Sequence, residues 1–89
     1  MVRKREKLEI VQDILLIVRE KNKIGPTKLL HSSNLSPQMF KGYVSLLLQK
    51  KFIEEILFKK KKNFSLTNKG RNFLEEYRVI ENLIKSFGL

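Results

Sequence analysis

Lys59, Lys60, Lys61 and Lys62 stand consecutively in the chain. Adjacent ammonium groups are mobile point charges, suited to phosphate oxygens rather than to the edges of bases. A solvated turn would carry the same run, so its meaning comes from what flanks it. Gln38, Lys41 and Ser45 recur at steps of three and four, which puts an amide, an ammonium and a hydroxyl on one helical face. Those groups hydrogen-bond base edges in a DNA major groove. Gly42 lies in the middle of that face. A mid-helix glycine costs about 1 kcal/mol relative to alanine, and one use of the missing side chain is close approach to the groove floor. Packing against the preceding helix, or plain drift, is the other reading of Gly42. Ser36 and Pro37 open this helix, so its positive dipole end is available to a phosphate. Arg3, Lys4, Arg5 and Lys7 form a second basic cluster, read either as an arm lying along a nucleic-acid backbone or as a frayed terminus.

Catalytic chemistry has no comparable footing. His31 is the chain's one histidine, with no second ligand or nucleophile at a useful spacing, and is expected at or near the surface. Glu54 with Glu55, and Glu75 with Glu76, are adjacent pairs. Neighbours on a strand point to opposite faces and neighbours on a helix diverge by about 100°, so neither pair faces one substrate as acid and base. There is no glycine-rich phosphate loop and no metal-ligand spacing. Cysteine is absent, which removes disulfides and thiolate metal sites. The expectation is a protein that is not an enzyme, with no cofactor, no metal and no small-molecule ligand.

Charge narrows the partner. Lys and Arg total 19 against 9 Asp and Glu, a formal net charge of +10 on 89 residues. Duplex DNA carries one charge per roughly 1.7 Å of axis and releases condensed counterions when lysines displace them. An anionic membrane is the rival, weakened because the longest apolar run, residues 14–18, falls far short of the ~18 residues of a spanning helix. The chain is therefore expected to be soluble and cytoplasmic. An apolar content of 42% is ordinary for a globular domain, so the charge sits on a folded body.

The elements that must position these residues follow from periodicity. Leu8, Val11, Leu15 and Val18 form one stripe, with Ile10, Ile14 and Ile17 beside it, which predicts a first helix over 6–21. Asn22, Lys23, Gly25 and Pro26 break it; Gly25 suits a helix C-terminal turn and Pro26 the first turn of a second helix reaching about Ser32. Residues 33–37 read as a tight turn, with Ser36 as N-cap of a third helix running to about Lys50. Phe40, Tyr43, Val44, Leu47 and Leu48 are its inward residues. Aromatic and branched residues over 52–58 and 64–66, separated by 59–63, predict a basic-tipped hairpin. The tip lacks glycine, so a loop of several residues is expected rather than a two-residue turn. Thr67 caps a last helix.

Helix, helix, turn, helix, basic hairpin, helix is the order of a winged helix-turn-helix: an α+β, mostly α fold of three helices and a two-stranded wing, here with an added C-terminal helix. One domain over 1–89 is expected, with a basic arm (1–7), a core (8–66) and a C-terminal helix (67–89). Phe73, Tyr77, Ile80, Ile84 and Phe87 recur at alternating steps of four and three, with Val79 and Leu83 beside them. A compact core covers part of that seam, and pairing with a second copy would bury the rest. Phe73, Tyr77, Ile80, Leu83, Ile84 and Phe87 are thus the candidate dimer contacts. Folding back onto the first helix is the alternative. Glu75, Glu76 and Glu81 put acid on this helix and keep it off DNA.

The runs Pro26-Thr27-Lys28-Leu29-Leu30, Asn34-Leu35-Ser36, Tyr43-Val44 with Leu46-Leu47, and Phe52-Ile53-Glu54 resemble those of the small archaeal winged-helix regulators of the ten-a DNA-binding type. Phe64-Ser65-Leu66-Thr67-Asn68-Lys69-Gly70 is similar to the strand, Leu-Thr, x, Lys-Gly junction of many winged-helix regulators. The likeness spans nearly the whole chain. It implies an antiparallel coiled-coil dimer through the last helix and a role in gene regulation or nucleoid organisation. Two features depart from it: Lys51 stands where glycine is usual at the end of the third helix, and the last helix is short. The functional expectation is double-stranded DNA binding by a homodimer, with Ser36, Gln38, Lys41, Gly42 and Ser45 at the major groove. Lysines 59–62, with Arg3, Lys4 and Arg5, grip phosphates. The competing class is a winged-helix protein-interaction module of a transcription or RNA-processing assembly.

Overall fold

The computed structural model describes residues 6–89, so Arg3, Lys4 and Arg5 lie outside the described residues. Its elements run α1 (Lys7–Lys21), β1 (Lys23–Ile24), α2 (Pro26–Ser33), α3 (Pro37–Gln49), β2 (Ile53–Phe58), β3 (Lys61–Leu66) and α4 (Asn68–Ser86). Helix α1 buries Ile10, Val11, Ile14, Leu15 and Val18 and packs against α2, α4, β1 and β3. The apolar stripe read from the sequence is this face, with Ile17 half-buried at its edge and one residue outside it. Leu8, in the first turn, is exposed, because the core begins a turn further on.

Helix α1 ends on Asn22 in a positive-φ conformation (φ 67°), whose N–H donates to the Arg19 carbonyl. Gly25, expected to supply that C-terminal turn, is instead the extended N-cap of α2, with Pro26 at its first position. The two residues between form strand β1, which the sequence pattern did not indicate. Lys23 pairs with Ser65 and Ile24 with Phe64, so the sheet is three-stranded, in the order β1-β3-β2.

Ser36 caps α3 as expected, its hydroxyl accepting from the Met39 N–H at 3.2 Å. At the other end Lys51 donates to the Leu48 carbonyl (3.1 Å) and Phe52 to that of Leu47 (2.9 Å), the paired bonds that close a helix on a left-handed residue. Lys51 has φ 64°, a conformation costing an L-residue roughly 1–2 kcal/mol. The termination survives without glycine because both carbonyls are satisfied.

The hairpin departs from its expected form. Strands β2 and β3 pair in register from Ile53↔Leu66 to Phe58↔Lys61, leaving a two-residue turn of Lys59 (φ 52°) and Lys60 (φ 62°). Positive φ at both central residues matches strand twist and is usually met by Asn-Gly. Here lysines adopt it, and Lys61 and Lys62 belong to β3.

Thr67 ties the last helix to the hairpin base. Its hydroxyl accepts from the Gly70 N–H (3.0 Å) and lies within hydrogen-bond reach of the carbonyls of Lys51 (2.6 Å) and Phe52 (3.0 Å). A Cβ on Gly70 would overlap the Phe52 carbonyl oxygen and come within 2.6 Å of the Leu66 side chain. Gly70 is thus required for contact distance, and Gly70→Ala should destabilise the fold by about 1–3 kcal/mol through overpacking. Urea unfolding should show a lower midpoint at unchanged slope; an unshifted midpoint would mean that the α4 junction gives way freely.

Candidate nucleic-acid interface

Helix α3 presents two faces of opposite character. Val44 and Leu47 are buried, and Phe40, Tyr43 and Leu48 pack half-buried against the core, all five as the sequence spacing predicted. Ser36, Gln38, Lys41, Gly42 and Ser45 are exposed together on the outer side. A Cβ built on Gly42 meets nothing within 4 Å. Close packing against α2 therefore does not account for this glycine.

The wing carries Lys59, Lys60, Lys61 and Lys62, all exposed. Lys62 pairs with Glu55 at 3.2 Å, and both are half open to solvent, so the pair neutralises charge locally and adds little stability. Glu54 lies opposite Ser65 and Glu55 opposite Phe64, so these two carboxylates occupy opposite faces of the sheet, as expected. Leu57 and Phe58 are exposed apolar residues of the wing that the sequence pattern had assigned simply to a strand.

Between α2 and the wing runs an open cleft. Lys21, Lys23, Lys28 and His31 line one side, Lys59, Lys61 and Lys62 the other, with no carboxylate among the described lining residues. Sequence reasoning placed His31 at or near the surface, where it is, but did not bring it together with the wing. The signal missed was β1, which draws Lys23 to the sheet.

Away from the wing, α4 is apolar along one stripe, with carboxylates gathered near Tyr77. Gln12 on α1 donates to Glu81 on α4 at 2.8 Å, fixing the angle at which α4 leaves the core. Burial pushes the Tyr77 hydroxyl pKa up, and the carboxylates of Glu81, Glu9, Glu6 and Asp13 push it the same way. Phe73 is half-buried between Phe52 and Tyr77, with ring centroids 5.2 and 5.8 Å away. Beyond Tyr77 the stripe is uncovered within the chain: Ile80 is 51% exposed, Ile84 43% and Phe87 73%, and Leu83 and Val79 are exposed beside them. The first half of the last helix thus folds back onto the core, and beyond Tyr77 the Gln12–Glu81 bond ties it to α1 while its apolar stripe stays exposed.

Among the described residues no His, Cys, Asp or Glu cluster could hold a metal ion, and no helix is long and apolar enough to cross a membrane.

A family model for the winged helix-turn-helix matches residues 4–85. No curated protein matches the chain. Among solved structures, Sso10a-2, a DNA-binding protein from Sulfolobus solfataricus, is similar at 22% identity and a TM-score of 0.70, over 94% of this chain and 90% of that one. F93 from STIV, a winged-helix DNA-binding protein, matches at 19% identity and a TM-score of 0.70, over 91% and 95%. YusO from Bacillus subtilis gives a TM-score of 0.79 at 18% identity, over 90% of this chain and 59% of that longer one.

The open surroundings of Gly42 make a two-sided prediction. Gly42→Ala should stabilise the isolated protein by about 0.5–1 kcal/mol, seen as a raised melting temperature. If α3 approaches a groove floor at this point, the same methyl should weaken duplex binding. A variant that gains stability and keeps full affinity would show that Gly42 stands clear of the ligand.

Proposed function

The chain belongs to the winged helix-turn-helix family, and from that premise we propose that it binds double-stranded DNA as a homodimer, acting as a transcriptional regulator or nucleoid-associated protein of the cytoplasm. Helix α3 enters the major groove, where Gln38, Lys41 and Ser45 reach base edges and Gly42 permits close approach. Ser36, at the helix start, faces a phosphate. Lysines 59–62 contact the backbone, and Arg3, Lys4 and Arg5 extend that contact as an arm. Binding accounts for the protein's activity, with no catalytic step and no cofactor.

The observation that carries this reading is the pairing of an open polar α3 face with a hairpin whose turn is built from lysines at positive φ. Asparagine and glycine would make that turn at lower conformational cost. Lysine there places charge at the tip at the expense of stability, which suits an anionic partner. The apolar stripe from Ile80 to Phe87 would be covered by the same helix of a second copy, with Leu83 in the seam and Phe73 and Tyr77 at its inner end. Acid near Tyr77 and base on the wing keep the two ends in their separate roles.

Equilibrium binding to a random-sequence duplex and to a single strand across a salt series tests the reading. Duplex should be preferred and affinity should fall steeply with salt. Replacing lysines 59–62 by alanine should reduce the slope of log K against log salt by up to about 0.9 per lost phosphate contact. Absence of duplex binding at low salt, with a protein partner recovered after nuclease treatment, would favour the interaction-module alternative. Discrete footprints on genomic DNA mark a regulator and uniform coating an architectural role. By sedimentation the protein should be a dimer and Ile84→Glu a monomer of unchanged circular dichroism; a monomeric parent protein would rule out pairing through α4.

A further inference from the structure

The cleft between α2 and the wing has a feature that core packing does not explain. Phe58 ends edge strand β2, remains 42% exposed and lies outside the apolar core. The ammonium group of Lys23, from β1, lies 4.6 Å from its ring centroid, and that of Lys59, from the turn, lies 5.3 Å away. Two cations gathered around one ring repel each other, and the negative face of the aromatic quadrupole is what offsets that repulsion. The ring, which lines the cleft, thus collects charge from two separate elements. Lys28 and His31 add to it from successive turns of α2. Basic groups continue along both walls, and no residue of α3 lines the cleft.

We propose that this cleft is a phosphate site for the backbone of the duplex held by α3, in which Lys23, Lys28 and Lys59 contact successive phosphodiesters and Phe58 is the positioning residue for the Lys23 and Lys59 ammonium groups. The inference rests on the DNA-binding reading and deepens it, since it extends contact beyond α3 and the wing tip to β1 and α2. An extended row of cations fits a repeating anion better than a single one, and the wing lysines that border the cleft make its occupant continuous with the backbone they already grip. Phe58 is needed for its π face rather than its bulk, so an aromatic replacement keeps the site and an aliphatic one loses it.

The test uses the full chain and a random-sequence duplex across a salt series. Replacing Lys23 and Lys28 together by alanine should lower the slope of log K against log salt by up to about 1.8, two contacts at about 0.9 each. Phe58→Leu, which retains every charge, should also lower the slope, and Phe58→Tyr should restore it. Circular dichroism confirms folding of each variant. If the Lys23/Lys28 variant and Phe58→Leu both keep the parent slope while alanine at lysines 59–62 reduces it, the cleft is not a phosphate site and the DNA-binding reading stands. If the parent protein binds no duplex, the DNA-binding reading itself fails and this inference with it.

Discussion

Ile14, Leu15 and Val18 of α1 close against Leu29 of α2, Leu47 of α3 and Ile53 of β2, and this small interior anchors the whole protein. A chain of 89 residues buries a modest share of its unfolded surface, about 60% for domains near this size. Its one core therefore cannot reach every element. The base of the hairpin is held by Phe64 and Leu66, but its tip is not; the first half of α4 is held by Leu74, but its second half is not. What projects from the core is what is available to partners, and the two projections differ in chemistry, one basic and one apolar beside acid.

Conformational strain has the same distribution. Asn34 takes the left-handed conformation at the end of α2, which asparagine tolerates, and Asn22 takes positive φ with ψ −48° at the end of α1. Lys51, Lys59 and Lys60 take it where glycine or asparagine would be cheaper. At Lys51 the backbone bonds that end α3 compensate. At Lys59 and Lys60 the in-register pairing of β2 with β3 holds the turn, and the result is charge at the point of the wing. The fixed junction at Thr67 and Gly70 sets the hairpin base against α4, so the wing and the last helix are oriented relative to one rigid unit.

Much of this was legible in the sequence because the signals were chemical and local. Ser36 and Thr67 announced their helices by capping chemistry, and the inward set of α3 followed from steps of three and four. The winged helix-turn-helix order was readable from element succession alone. Strand β1 was not, since two residues are too short to show alternation, and with it went the third strand, the place of Lys23 beside Phe58 and the cleft itself. The tight turn was missed because turn type was judged from residues that prefer positive φ, whereas strand pairing imposed it on lysines. Gly25 was misplaced for a related reason: Asn22 supplied the positive-φ residue first. Along α4 the sequence showed one continuous apolar seam, and only the extent of the core divides it into a packed half and an exposed one.

If α3 and the wing form one DNA-binding face, as proposed, the distal half of α4 takes no part in it. Titrating the isotopically labelled protein with a short duplex and following backbone amide shifts tests this directly. The largest changes are expected at Ser36, Gln38, Lys41, Gly42 and Ser45 and through the wing lysines, with little change from Ile80 to Phe87. Changes concentrated on that α4 stripe, or an undisturbed outer face of α3, would contradict it.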